Sequence, residues 1–179
     1  CEQVRHHRVV EGRATLRGGA VSTMTSNTVP AIGSLAPEFT LPSTAGSDVT
    51  LSSFRGTHNV ILAFFPAAFS GVCTAELCSF SDDYSQFTSA DTMVLPISTD
   101  WIPALKAFKE RERIALDLLS DSKRTVSRLY GTYFEEAFVA RRAYILIDKA
   151  GVVRWTFVES ELGHRRENAE LLAQLAALG

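Results

Sequence analysis

The sequence predicts an α/β fold in which a mixed central β-sheet is flanked by helices. Short apolar runs of strand length alternate along the chain with segments whose apolar residues recur at helical spacing. The last part of the chain departs from this alternation, because two neighbouring strands and a terminal helix follow one another there. Alternation favours parallel strand pairs and a hairpin adds an antiparallel pair, so the sheet is expected to be mixed.

The first half of the chain is predicted to contain a small hairpin, two further strands and a helix between them. Residues 39–41 and 49–51 flank a turn rich in Ser, Gly and Asp, which indicates an N-terminal β-hairpin. Residues 60–65 form a continuous apolar run of strand length. Apolar residues over 73–87 follow helical spacing, and residues 93–97 read as the next strand.

The second half is predicted to supply the rest of the sheet and its covering helices. The expected elements are helices over residues 101–113, 123–130 and 166–178 and strands over 143–147 and 152–158. Gly131 follows the second of these helices, at the position where a helix commonly ends in a left-handed residue.

Residues 1–29 differ from the rest of the chain. They are rich in arginine, contain paired glycines and a Ser/Thr cluster, and show little apolar periodicity. This composition predicts a disordered extension of upstream or cloning origin, followed by one folded domain over residues 30–179. An arginine-rich transit peptide is the alternative, and Glu2 and Glu11 disfavour it.

Composition restricts the classes of function. The 179 residues are 46% apolar and 21% charged, with a net charge of −2, so the chain has no excess of cations to bind nucleic acid. No apolar run reaches the length of a membrane span. Three cysteines, one of them at position 1, do not indicate a disulfide scaffold. A reducing, cytoplasmic compartment is therefore expected.

Cys73 is the candidate nucleophile. An apolar strand runs into Pro66, a turn through Ser70 and Gly71 follows, and Cys73 stands where a helix is predicted to begin. Unpaired backbone N–H groups and the positive end of the helix dipole favour a thiolate at such a position. Without this context, a structural core thiol would be the better interpretation.

Cys78 follows Cys73 by five positions. On an unbroken helix this step is a rise of ~7.5 Å and a rotation of about 140°, so the two thiols would point apart. A disulfide would therefore require the first helical turns to unwind. One alternative to a resolving role is that Cys78 acts only as a small apolar residue of the core. Zinc ligation is another alternative for the two cysteines. A zinc site would need a second pair of ligands, but His58 and His164 are isolated in the sequence.

A motif around Cys73 and a second one further along the chain both resemble those of the peroxiredoxins. Pro66, Ser70 and Cys73 match P-x-x-x-T/S-x-x-C, with serine in place of the usual threonine. Arg142 and Asp148 match the R-x-x-x-x-x-D pattern of a late strand in that family. The resemblance implies a thioredoxin-like fold and extends over about residues 30–178.

Further matches occur in the order expected for the family. Glu76 stands three residues after Cys73, as a glutamate commonly does in peroxiredoxins. Residues 118–121 resemble the family's LLSD turn, and residues 36–39 resemble its opening APDF segment. Arg141 is adjacent to the matched arginine, but the spacing to the aspartate selects Arg142.

The resemblance points to two peroxiredoxin classes. A cysteine five positions after the first is similar to the atypical two-cysteine class of bacterioferritin comigratory protein, also called the Q class. The run over residues 69–77 is similar to the one-cysteine class of alkyl hydroperoxide reductase E. No late Val-Cys-Pro segment occurs, so the mechanism of the typical two-cysteine dimer is not expected.

By resemblance, the protein is expected to be a peroxidase for hydrogen peroxide and organic hydroperoxides. Cys73 would be the peroxidatic residue and become a sulfenic acid. Cys78 would resolve it, and thioredoxin or a similar dithiol would reduce the resulting disulfide. In the one-cysteine class an external thiol resolves instead. No flavin, haem or metal is required, and both a monomer and a homodimer fit.

The resemblance also implies roles for four neighbours of the nucleophile. Arg142 would supply positive charge and fixed donors, and Ser70 would orient the peroxide or thiolate. Pro66 would shield the thiolate, and Glu76 would orient Arg142 or a neighbouring arginine. The alternatives are a solvated charge for Arg142, a strand stop for Pro66, and a favourable acid in the first helical turn for Glu76.

Two other functions compete with the peroxidase. A thiol–disulfide oxidoreductase would use the same kind of scaffold, but that chemistry favours C-x-x-C over the C-x4-C spacing of Cys73 and Cys78. A redox-sensing partner or holdase would expose apolar surface when Cys73 is oxidised, and no interaction motif supports it.

Overall fold

The computed structural model describes residues 28–178, and residues 1–27 of the predicted extension over 1–29 lie outside them. Strands β1–β9 span Thr40–Pro42, Asp48–Thr50, Asn59–Phe64, Thr92–Ser98, Leu119–Ser120, Tyr133–Phe134, Val139–Ala140, Ala143–Ile147 and Val153–Val158. Helices α1–α5 span Gly71–Asp82, Tyr84–Ser89, Ile102–Glu112, Thr125–Leu129 and Asn168–Ala176. A 3₁₀ turn spans Leu51–Phe54. Val29 is partly buried and packs against the core.

The central sheet has five strands in the order β5-β4-β3-β8-β9. Strand β4 runs parallel to β3 and β5, whereas β8 runs antiparallel to both β3 and β9. Strands β1 and β2 form the predicted N-terminal hairpin. The mixed sheet of the prediction is thus observed, with its antiparallel part supplied by the late strand pair.

The two faces of the sheet bury different sets of side chains because successive residues of a strand point to opposite faces. Val60, Leu62 and Phe64 pack on one face with the N-terminal hairpin and the Tyr130 ring. Ile61 and Ala63 pack on the other face, in the same cluster as Cys73 of α1. Helices α3 and α5 contribute to this second cluster, which makes it the face that carries the candidate site.

The predicted single helix over residues 73–87 is two helices. Helix α1 begins at Gly71, so Cys73 is its third residue, and it ends at Asp82 before α2 begins at Tyr84. The Asp83 carboxylate accepts hydrogen bonds from the Asn168 and Gln86 side chains. These contacts fix Asp83 between the two helices, where a periodic apolar pattern alone predicts continuity.

Strands β5, β6 and β7 were not predicted, because two residues are too few to show an apolar alternation. The predicted helix end at Gly131 is observed: this glycine has a φ of +64°. A Cβ at this position would also lie 2.5 Å from the Thr28 carbonyl carbon. Gly131 therefore serves both the helix end and the close approach of the N-terminal segment.

Candidate active site

The loop between β3 and α1 is held at the carboxyl end of the parallel strands. The Phe65 N–H donates to the Ile97 carbonyl at 2.9 Å, which extends the pairing of β3 with β4. Pro66, the next residue, is buried. The Ala68 N–H donates to the Asp100 carboxylate at 2.8 Å, so the end of β4 anchors the middle of the loop. The loop therefore reaches α1 along a fixed path.

Cys73 lies in the first turn of α1 and is 1% exposed. The first helical hydrogen bond runs from the Thr74 N–H to the Ser70 carbonyl at 2.9 Å. The N–H groups before Thr74, including that of Cys73, therefore have no helical carbonyl to bind. These N–H groups and the helix dipole favour negative charge at the Cys73 sulfur.

Ser70 is the N-cap residue of α1, and its hydroxyl makes no capping hydrogen bond to the helix. Its backbone is extended, with φ −77° and ψ 145°, as expected for the residue that precedes a helix. The hydroxyl is therefore not committed to holding the helix end. Ser70 lies three positions before Cys73, and its predicted role of orienting a substrate stays a prediction.

Arg142 places its guanidinium against the Cys73 sulfur. The residue directly precedes β8, and its Nη2 donates to Cys73 Sγ at 3.2 Å and to the Leu162 carbonyl at 3.3 Å. The side chain is fully buried. Burial acts to lower the pKa of Arg142, but the nearby Glu76 and Cys73 raise it above its ordinary value, so the guanidinium stays charged. Its Nε–H has no acceptor within residues 28–178.

Glu76 lies one helical turn after Cys73 and is also buried. One of its carboxylate oxygens accepts a hydrogen bond from Arg142 Nη1, and the other accepts one from the Tyr144 hydroxyl. Burial raises the pKa of Glu76 above its ordinary value of 4.5, while Arg142 and Tyr144 offset part of that effect. The carboxylate thus holds the guanidinium through Nη1 while Nη2 bonds the sulfur.

Cys78 lies further along the same unbroken helix in different surroundings. It is partly exposed, and both described cysteines are free thiols. Burial, Glu112 and Asp82 raise the pKa of Cys78 above its ordinary value of 9.0, which favours the neutral thiol. A bond between Cys73 and Cys78 would require α1 to unwind, as the helical spacing predicts.

The structure brings Cys73, Arg142 and Glu76 into direct contact and places Pro66 and Ser70 in the loop that leads to them. Sequence reasoning missed Tyr144 and Asp100. Tyr144 is a polar group within an otherwise apolar strand, two residues after Arg142, and this position could have indicated it. Asp100 follows β4 at the edge where the loop runs, but no local pattern links it to Ala68, which is 32 positions away.

Metal ligation is not offered by the described part of the chain, because no group of three His, Cys, Asp or Glu side chains there could hold an ion. The zinc alternative for Cys73 and Cys78 therefore gains no further ligand from residues 28–178. Among the described helices, none is long and apolar enough to cross a membrane.

Comparison with solved structures identifies the fold. The chain is similar to the reduced 2-Cys peroxiredoxin of Plasmodium vivax, with a TM-score of 0.78 and 28% sequence identity, covering 83% of this chain and 82% of that one. The predicted thioredoxin-like fold is confirmed. A buried thiol at a helix start, bonded by an arginine on this fold, defines a thiol-based oxidoreductase.

The family follows from the sequence comparisons. The model of the AhpC/TSA family matches residues 32–156, and the chain belongs to this family of peroxiredoxins. It is 35% identical over 150 residues to alkyl hydroperoxide reductase E of Mycobacterium tuberculosis, covering 82% of this chain and 98% of that protein. It is 37% identical over 127 residues to the chloroplastic peroxiredoxin Q of Suaeda salsa, covering 70% and 58% respectively. The predicted class of enzyme, a thiol-dependent peroxidase, is confirmed by this membership.

Proposed function

We propose that the protein reduces hydrogen peroxide and organic hydroperoxides with Cys73 as the peroxidatic residue. The observation that carries this proposal is the hydrogen bond of 3.2 Å from the Arg142 guanidinium to the Cys73 sulfur. A permanent cation and a helix start both stabilise the nucleophilic, negatively charged form of a cysteine sulfur.

In the first step the Cys73 thiolate attacks one oxygen of the peroxide. A sulfur–oxygen bond forms, the O–O bond breaks, and the sulfur is oxidised to a sulfenic acid. The other oxygen leaves as hydroxide or alkoxide and takes up a proton to become water or an alcohol. Negative charge moves onto this leaving oxygen, where the Arg142 guanidinium, including its unpaired Nε–H, can stabilise it.

The β3–α1 loop supplies the remaining parts of this site. The Ser70 hydroxyl is free of helix capping and orients the peroxide or the thiolate. Buried Pro66 shields the sulfur from bulk water. Glu76 holds Arg142 in the orientation that reaches the sulfur. Cys73 is almost enclosed, and this favours small peroxides over bulky ones.

In the second step Cys78 attacks the Cys73 sulfenic acid, which forms a disulfide and releases water. The disulfide is then reduced by thioredoxin or a similar dithiol through thiol–disulfide exchange in a cytoplasmic, reducing compartment. The one-cysteine route, in which an external thiol resolves the sulfenic acid, is the second candidate. The continuity of α1 between the two cysteines and the likeness to alkyl hydroperoxide reductase E favour it.

One equivalent of hydrogen peroxide, followed by intact-mass analysis, tests both steps. A loss of about two mass units indicates the disulfide, and a gain of about sixteen indicates a persistent sulfenic acid. Cys73→Ser should abolish peroxide consumption, whereas Cys1→Ser should leave it unchanged. Peroxide consumption by Cys73→Ser at the wild-type rate would refute the proposed function. Insulin reduction without peroxide consumption would indicate a thiol–disulfide oxidoreductase instead.

A further inference from the structure

Tyr144 is a buried polar group that the steps above do not use. It lies in β8, whose other four residues are apolar, and it is 0% exposed. Arg142 and Tyr144 are two positions apart, so both side chains point to the sheet face that packs against α1. A phenylalanine would supply the same apolar ring at this position. The hydroxyl group is therefore the feature that needs an explanation.

The Tyr144 hydroxyl joins two segments of the site. It donates to the Glu76 carboxylate oxygen that Arg142 does not occupy. It also accepts a hydrogen bond of 3.1 Å from the Arg166 backbone N–H. Arg166 lies in the segment after β9, which also supplies the Leu162 carbonyl bonded by Arg142. The tyrosine therefore connects α1, β8 and this segment at the point where they surround the guanidinium.

We propose that Tyr144 is a positioning residue that holds Glu76 and, through it, sets the Arg142 guanidinium against the Cys73 sulfur. The role rests on the proposed peroxidase function, because it concerns how the arginine meets the reacting sulfur. Tyr144 acts through Glu76, and no contact of its own with Cys73 is invoked.

Hydrogen-bond requirements of the Glu76 carboxylate support this role. Both oxygens of a buried carboxylate need donors, since a buried charge without hydrogen-bond partners is strongly destabilising. Arg142 supplies one donor and Tyr144 supplies the other. Without the hydroxyl, one oxygen is left bare, and the carboxyl can regain stability by taking up a proton. A neutral Glu76 would release the ion pair that aims Arg142.

This arrangement has a consequence for the pH dependence of the reaction. The groups that act on Glu76 are Arg142 and Tyr144, beside and within β8, and Arg165 from the segment after β9. Cys73, on the same helix, shares the Arg142 guanidinium with it. Burial raises the pKa of Glu76, and Arg142, Tyr144 and Arg165 oppose that effect. Removal of the Tyr144 hydroxyl should therefore raise the pKa further. The acid limb of the rate profile would then lie at higher pH.

Tyr144→Phe and Tyr130→Phe make a matched pair for the test. Tyr130 is also 0% exposed, and its hydroxyl donates to the Pro37 carbonyl at 2.6 Å, but it lies on the opposite face of the sheet. Stopped-flow peroxide reduction is measured against pH for both variants and for the wild type. Thermal unfolding of each variant measures how much stability the lost hydrogen bond costs.

The expected results are specific to a positioning role. Tyr144→Phe should lower the second-order rate constant about tenfold near pH 7 and move the acid limb up by about one pH unit. Tyr130→Phe should change the rate less than about twofold, with the acid limb unmoved. In a Glu76→Gln background, Tyr144→Phe should add less than about a twofold loss, because the residue it acts through is already altered.

A fluorinated tyrosine at position 144 keeps the ring and the hydroxyl and covers the case in which Tyr144→Phe does not fold. Its more acidic hydroxyl is a stronger donor, so the acid limb should move to lower pH, opposite to the phenylalanine variant. A ¹³C NMR titration of the Glu76 carboxyl, compared between wild type and these variants, gives the same information without peroxide.

Two results would overturn the proposal. One is a Tyr144→Phe profile that keeps the wild-type acid limb. The other is an equal loss with and without Glu76→Gln, which would mean that the tyrosine acts by packing alone. If neither the wild type nor Tyr130→Phe reduces peroxide, the proposed function fails instead. The Glu76 titration then still decides whether Tyr144 holds the carboxylate.

Discussion

Cys73 and Cys78 lie on the same helix α1, yet Cys73 is bonded by a cation whereas Cys78 lies near carboxylates. Cys73 lies in the first turn, is 1% exposed, and accepts a hydrogen bond of 3.2 Å from Arg142. Cys78 lies later in the helix, is partly exposed, and is flanked by Glu112 and Asp82. Five positions along one helix thus separate a sulfur next to a cation from a sulfur next to carboxylates.

The difference shows that the charges around each thiol can determine which cysteine reacts first. A cation and free N–H groups stabilise a thiolate, whereas carboxylates and burial stabilise a neutral thiol. In the proposed function Cys73 reacts with peroxide first, while the raised pKa of Cys78 favours its neutral thiol in the folded helix. The unwinding that a disulfide requires begins in the first turns of α1, which carry Cys73.

Arg142→Met should have the largest effect on the Cys73 side of this comparison. We expect the second-order rate constant with peroxide to fall at least about 100-fold, or ~2.7 kcal/mol of transition-state stabilisation. Stopped-flow measurement against Arg141→Met provides the control, because the Arg141 guanidinium stacks on the Phe134 ring at 4.4 Å. A loss of less than about tenfold in Arg142→Met would show that the cation does not set the reactivity of Cys73.

Cys78→Ser should affect only the later steps. A single turnover with peroxide should proceed at the wild-type rate, because the Arg142 guanidinium bonds Cys73 and Glu76 without using Cys78. Recycling with thioredoxin in the steady state should slow at least about tenfold, since the sulfenic acid would lack its internal thiol. Cys1→Ser is the matched thiol control. Wild-type recycling by Cys78→Ser would assign the protein to the one-cysteine class.

The sequence predicted the parts of the fold that long apolar patterns encode. The strand over residues 143–147 is observed with the same bounds, and β3 differs by one residue at each end. The break at Asp83 was not predicted, because side chains distant in sequence fix it. Local periodicity carries no information about such contacts.

The candidate site likewise contains residues that the sequence predicted and one that it did not. The resemblance to peroxiredoxins implied that Cys73, Arg142 and Glu76 belong to one site, and in the structure Arg142 contacts both of the others. Tyr144 was not identified, since a tyrosine within an apolar strand is typical of a core residue. The hydroxyl matters because it bonds Glu76 of α1. This contact depends on the tertiary fold, in which β8 pairs antiparallel with β3.

Ser70→Ala tests whether the start of α1 serves chemistry or helix stability. Because the hydroxyl makes no capping bond, the thermal midpoint should change little. The peroxide rate constant should fall about fivefold, which corresponds to the loss of one hydrogen bond of ~1 kcal/mol. Ser70→Thr restores a hydroxyl and should retain most of the rate. A lower thermal midpoint with an unchanged rate would make Ser70 a structural residue only.

Glu112→Gln should have the smallest effect of these variants, and it tests directly how carboxylates influence the Cys78 thiol. Glu112 raises the pKa of Cys78, so its removal should increase the thiolate fraction of the reduced protein. We expect iodoacetamide to alkylate Cys78 about twofold faster, as followed by peptide mass spectrometry. Glu110→Gln, which removes an exposed charge from the same helix, is the control.

The same variant separates attack by Cys78 in the folded helix from attack after unwinding. If the unwinding of α1 extends to Cys78, this thiol leaves Glu112 before it reaches Cys73. Glu112→Gln should then accelerate disulfide formation less than it accelerates alkylation. Equal acceleration of both reactions would mean that Cys78 attacks while still beside Glu112. The helix would then not unwind at its second cysteine, and the contrast between the two thiols would persist through the whole catalytic cycle.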